Sequence, residues 1–106
     1  MTDSPQGPPI PPALDEVLHQ QTRLRIVTTL VAEREADFVY LRKLLDISEG
    51  KLNGHMKVLL SSGYVEARKS FVNSRPRTSY RLTRGGRKSF DAYINQLEEL
   101  VRNFSR

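Results

Sequence analysis

Cysteine and tryptophan are absent from this chain of 106 residues, and histidine occurs twice, at His19 and His55. Without cysteine there is no disulfide, no thiolate zinc site and no thiol-based redox sensor. The two histidines fall on different expected elements with no third ligand beside them, so no metal site is expected. No apolar run approaches the roughly 20 residues that a helix needs to cross a bilayer, and no membrane partner is expected. The N-terminus lacks a basic segment followed by an apolar one, so no secretory signal is read there and a cytoplasmic location is expected. Arrangements for catalysis are missing too. There is no Ser/His/Asp or Cys/His set, no glycine loop after a strand to cradle phosphate, and no paired carboxylates in a plausible pocket. Gly85 and Gly86 open a helix without the surrounding pattern of a phosphate loop. Neither an enzyme nor a cofactor is expected.

Proline is scarce outside one place. Five of the six prolines lie in residues 1–12, MTDSPQGPPIPP, which offer almost no core residue. That segment reads as a disordered or extended tail. The remainder, residues 13–106, suffices for one domain with a modest core. The net charge of +5 is unevenly spread. Residues 51–90 hold ten Lys or Arg and one acid, Glu66. A basic middle between neutral-to-acidic ends suits a surface built for a polyanion.

Helical spacing begins at Leu14 and Leu18 and runs through Leu24, Ile26, Val27, Leu30 and Val31, predicting one long helix or two short ones up to Ala32. A very short strand is expected at Phe38 and Val39. Tyr40 to Asp46 reads as a short helix with Leu41, Leu44 and Leu45 inward. Ser48 is an N-cap for the next helix, since its hydroxyl can accept from a free backbone N–H. Lys51 stands where a capping box would have Glu or Gln. Leu52, Met56, Leu59 and Leu60 form one apolar face, and Gly63 is suited to the left-handed turn that ends a helix. Residues 64–72 and 78–82 are rich in aromatic and β-branched residues, with Asn73-Ser74-Arg75-Pro76-Arg77 between them. They predict a hairpin with a longer, basic tip. Thr83 can cap a last helix. Its apolar positions, Phe90, Tyr93, Ile94, Leu97, Leu100, Val101 and Phe104, step by three and four in a narrow stripe.

The order is helix, short helix, tight turn, helix, basic hairpin, helix. The stretches LRIVTTL, LRKLLDISEGKLNGHMKVLLSSGYVEARK and RPRTSYRLTRGGRKSF, read in sequence, resemble the winged-helix regulators related to the MarR and ArsR families. The resemblance covers roughly residues 14–100. It implies a mainly α protein with a small β-hairpin wing (α+β), a winged helix-turn-helix. It also implies sequence-specific binding to double-stranded DNA as a transcriptional regulator, and related regulators often place a His beside the DNA backbone where His55 stands.

The residues agree with it. An α-helix fits the major groove of B-DNA. Opposite the apolar face of the Ser48 helix lie Glu49, Gly50, Lys51, Asn53, Gly54 and Lys57, with His55 at the flank. Asn53 can read an adenine edge or hold a phosphate; Lys51 and Lys57 suit phosphates or guanine acceptors. Ser48 and nearby N–H groups can bind a phosphate. Gly50 and Gly54 would let the backbone come close to DNA. Arg75 and Arg77 suit the backbone or a minor groove, with Thr78 beside them. A homodimer is expected through Leu14, Leu18 and the stripe from Phe90 to Phe104, with two recognition helices about 34 Å apart on a palindromic site. The competing reading is a winged helix that binds structured RNA or a protein partner. No effector is specified: a chain with one core leaves little room for a ligand pocket except between subunits.

Overall fold

The computed structural model describes residues 10–105. Most of the expected Pro-rich tail, residues 1–9, lies outside them. The elements run α1 (Gln21–Glu33), β1 (Ala36–Asp37), α2 (Phe38–Leu45), α3 (Glu49–Ser61), β2 (Val65–Val72), β3 (Arg75–Leu82) and α4 (Arg84–Phe104). The sheet is antiparallel in the order β1-β3-β2. Among the described residues no helix is long and apolar enough to cross a membrane.

The first helix starts later than the apolar spacing predicts. Asp15 accepts from the backbone N–H groups of Val17 (2.9 Å) and Leu18 (3.0 Å), closing a single turn. Gln20 then takes an extended conformation and caps α1 by accepting from Arg23 N–H at 2.8 Å. Residues 14–20 therefore form a strap ahead of α1 rather than a continuous helix. Leu18 on this strap is fully buried, beside Ile26, Val27 and Leu30 of α1.

Phe38 and Val39 are helical, not strand. The Asp37 carboxylate accepts from Tyr40 N–H at 2.7 Å and so fixes the start of α2 at Phe38. The strand lies just before, where Ala36 and Asp37 pair with Tyr80 and Ser79. Leu41 and Leu45 point inward as expected, but Leu44 is 48% exposed, off the stripe that the other two define. On α3, Leu52, Met56 and Leu59 are buried, whereas Leu60 is 38% exposed at the edge of the face.

The end of α3 sets the rest of the chain. Gly63, at φ 76°, donates to Leu60 O (3.1 Å), and Tyr64 donates to Leu59 O (2.9 Å). This pair of bonds is the Schellman arrangement, which favours glycine because a left-handed residue with a Cβ is strained. Thr83 returns to this corner. Its hydroxyl donates to Gly63 O (2.6 Å) and accepts from Gly86 N–H (2.9 Å), capping α4. A Cβ on Gly86 would lie 2.0 Å from the Tyr64 carbonyl oxygen, so the start of α4 can rest on this corner only with glycine there.

The hairpin is longer and tighter at its tip than its composition suggests. Only Asn73 and Ser74 form the turn, both left-handed at φ 53° and 64°, and Arg75, Pro76 and Arg77 belong to β3. Two successive left-handed residues make the turn whose twist matches that of the strands. Val72 faces Arg75 across the turn and Phe71 faces Pro76. That register puts Pro76 in a pair that exchanges no ladder bonds with β2, and β1 reaches only Ser79 and Tyr80 on the other side of β3, so the missing N–H costs no ladder bond.

Candidate nucleic-acid interface

Local capping orients α3. The Ser48 hydroxyl accepts from Lys51 N–H at 3.2 Å, and Glu49 in the first turn complements the positive end of the helix dipole. With Leu52, Met56 and Leu59 turned inward, Ser48, Glu49, Gly50, Lys51, Asn53, Gly54 and Lys57 are all exposed. Gly50 and Gly54 each cost helix stability, about 1 kcal/mol relative to Ala. A Cβ on either would meet nothing within 4 Å. Packing inside the protomer therefore gives no reason for either glycine.

An open groove of about 890 Å³ lies between α2, the start of α3 and the hairpin. It brings together Asn53, Arg75, Arg77 and Thr78 from the expected set, with Lys43 and the acids Asp37 and Glu49. Ser48, Lys51, Gly54, His55 and Lys57 lie outside its lining. Arg77 is not a free tip residue as its place in the sequence suggests. It sits in β3, where Asp37 approaches its Nε to 3.5 Å. Arg75 keeps an exposed side chain with no carboxylate within reach among the described residues.

Carboxylates neutralise part of the basic block. Arg68 pairs with Glu35 (2.8 Å), Arg81 with Glu66, and Arg87 with Asp91 (3.1 Å). Lys51, Lys57, Lys69, Arg75, Arg84 and Lys88 have no such partner among the described residues. The uncompensated cations thus include both lysines of α3 and the arginine beside the hairpin turn.

His55 is half-buried, and a residue that carries no sequence signal holds it. Arg23 Nη1 lies 3.2 Å from His55 Nδ1, across 32 positions of the chain. Burial first, then the positive charges of Arg23 and Lys51, push the imidazole below its ordinary value of 6.5 and favour the neutral ring. Among the described residues, no group of three or more His, Asp or Glu side chains is placed to hold a metal.

The expected subunit interface divides in two. Leu18 and Tyr93 are buried inside the protomer, so they are corrected to core residues. Tyr93 also meets His19 Nδ1 at 2.8 Å through its hydroxyl. Leu14, Phe90, Ile94 and Leu97 are partly buried against the same core. Leu100 is half-buried, and Val101 and Phe104 are 61% and 43% exposed. A shallow apolar groove of about 320 Å³ runs along Ile94, Leu97 and Val101, bordered by Glu98 and Arg102.

Comparison with known proteins places this geometry. The family described as winged helix DNA-binding domain matches residues 22–101. An uncharacterised protein of Methanocaldococcus jannaschii is 31% identical over 88 residues, covering 83% of this chain and 96% of that protein. The structure of a transcriptional regulator homologue from Pyrococcus horikoshii is 29% identical with a TM-score of 0.78, covering 85% of this chain and 89% of the other. A mutant MarR from Escherichia coli, solved in complex with operator DNA, shares the fold at 22% identity and a TM-score of 0.61, over 78% of this chain and 62% of that one. This chain belongs to the winged-helix DNA-binding domain family and carries the MarR-like form of its fold.

Proposed function

We propose that this protein is a sequence-specific regulator of transcription that binds double-stranded DNA as a homodimer. In this reading α3 enters the major groove, where Asn53 reads base edges and Lys51 and Lys57 hold phosphates or guanine acceptors. Arg75 and the strand around it track the backbone or the minor groove, with Arg77 and Thr78 lining the groove between. Ser48 and the free N–H groups beside it meet a phosphate at the start of α3. The observation that carries the reading is the α3 face itself. It is exposed, basic and interrupted by two glycines for which the protomer has no packing use. Close approach to a second backbone, that of DNA, gives them one.

The dimer reading rests on the far part of α4. Leu100, Val101 and Phe104 continue the stripe of Phe90, Ile94 and Leu97 past the point where the protomer's own core covers it. A second copy would bury that stripe at roughly 25 cal/mol per Å², offsetting part of the cost of association. Two-fold symmetry would then favour a palindromic site.

Gly54→Ala tests the DNA reading from both sides. It should stabilise the free protein by up to about 1 kcal/mol in urea melts, because alanine is the better helix former and its Cβ enters open space. The same change should weaken binding to a duplex selected from a random pool, measured by fluorescence anisotropy. A variant that is more stable and binds DNA as well as the parent would contradict the use of this face. Competition by duplex RNA equal to that by the selected DNA would favour the RNA alternative.

A further inference from the structure

The flank of α3 carries a second arrangement, built by Arg23 in the first turn of α1. Its Nε donates to Val17 O at 2.8 Å, and its Nη2 reaches Glu16 O at 3.4 Å, fastening the strap. Its Nη1 faces His55 Nδ1 at 3.2 Å. A guanidinium has donors and no acceptor. The nitrogen it faces must therefore accept, which leaves Nδ1 bare and puts the ring hydrogen on Nε2. Nε2 itself has no hydrogen-bond partner among the described residues, where the only buried side-chain polar atom lacking one is Gln96 Oε1. Nε2 thus reaches solvent. His55 stands one helical turn after the exposed Lys51, on the same side of α3.

We propose that Arg23 is a positioning residue for DNA binding: it fixes His55 as the neutral ring with its hydrogen on Nε2 and presents that N–H to a phosphodiester oxygen of duplex DNA beside Lys51. This rests on the DNA-binding reading above. The arrangement explains why a cation stands against a histidine without an acid between them. Arg23 spends its three directions on two strap carbonyls and one imidazole nitrogen, so the strap, α1 and α3 meet at one guanidinium. It also separates two kinds of phosphate contact. Lys51 binds by charge and releases a counterion, whereas a neutral N–H supplies direction and releases none.

Nitrogen-15 NMR of the His55 ring in the full labelled chain, without DNA, tests the first half. Hydrogen on Nε2 near pH 7.5 is expected; hydrogen on Nδ1, or a cationic ring, overturns the proposal. Anisotropy titrations at several salt concentrations test the second half. Arg23→Met should mix the two ring forms and weaken DNA binding by about tenfold, the range of one charge-assisted hydrogen bond, with an unchanged salt slope. Adding His55→Ala to Arg23→Met should cost no more than His55→Ala alone, and His55→Gln should retain part of the affinity. Where Arg23→Met releases the strap and unfolds the chain, Arg23→Lys, which keeps one donor, serves in its place. Independent, additive losses overturn the positioning role. So does a salt slope that falls by about one with Arg23→Met, which would make Arg23 a direct phosphate ligand. Failure of the unaltered protein to bind any duplex would instead overturn the DNA reading, and the ring spectrum would still report whether Arg23 sets the tautomer.

Discussion

The two halves of α4 carry the same apolar spacing and meet opposite surroundings. The first half is built into the domain. Gly86 rests on the Tyr64 carbonyl, Tyr93 is buried and bonded to His19, and Phe90 pads the same core. The second half outlives its support: by Val101 and Phe104 the stripe faces solvent. An amphipathic stripe therefore announces that something covers it, but not whether the cover is the same chain or another copy. The strap belongs to the anchored half: Leu18 is buried in the same core as Tyr93, and His19 meets the Tyr93 hydroxyl.

The sharpest way to break this comparison is at the anchored end. Gly86→Ala should cost more than the roughly 1–3 kcal/mol of ordinary overpacking, because its Cβ would be driven into backbone that cannot swing away. Gly85→Ala, whose Cβ meets only Thr83 Oγ1 at 3.8 Å, should be neutral or stabilising by up to about 1 kcal/mol. Thermal melts of the pair should therefore diverge strongly for neighbouring, chemically identical changes. Equal behaviour would mean that α4 does not rest on the α3–β2 corner.

The next contrast runs between the halves. Tyr93→Ala should destabilise the protomer by about 3–5 kcal/mol, the usual range for emptying an aromatic from a core. Val101→Glu with Phe104→Glu should change protomer stability by little more than about 0.5 kcal/mol per site, the norm for exposed positions. Sedimentation should nevertheless find the double variant monomeric where the parent is a dimer. A parent that is monomeric at micromolar concentration would assign the exposed end of α4 to some other use.

The smallest effect belongs to acidification. The His55 ring titrates below its ordinary 6.5 in the folded chain, chiefly through burial and then through Arg23 and Lys51. The unfolded chain therefore binds the proton first as pH falls. The contribution to stability is complete above about pH 6.5 and is lost as pH drops through the folded value. Urea melts between pH 7.5 and 5.5 should register this decline, and His55→Gln should flatten it. An unaltered slope in that variant would remove His55 from the balance.

Much of this was legible before any fold. Ser48, Gly63 and Thr83 announce their helix ends because a cap needs a particular oxygen or a left-handed residue, and both are local requirements. The inward face of α3 is legible for the same reason, through Leu52, Met56 and Leu59. Long-range choices were not. The composition of residues 73–77 reads as a loop, yet the register of Phe71 with Pro76 draws three of those residues into β3. The start of α2 turned on one Asp37 carboxylate, which also ended β1. Arg23 gave no signal at all, since a guanidinium at the start of an amphipathic helix reads as solvated surface until the chain folds His55 beside it. On α3, the glycines were visible in sequence, but only the open space around their missing Cβ atoms excludes a packing reason.

The central claim, that α3 and the wing together form a DNA surface, is tested most directly by the salt dependence of binding to a selected duplex. The logarithm of affinity should fall steeply with the logarithm of salt concentration, at about 0.9 per neutralised phosphate, and Lys51→Ala and Arg75→Ala should each lower that slope by about one. An affinity that is flat between low and physiological salt, or a slope indifferent to both substitutions, would contradict the account.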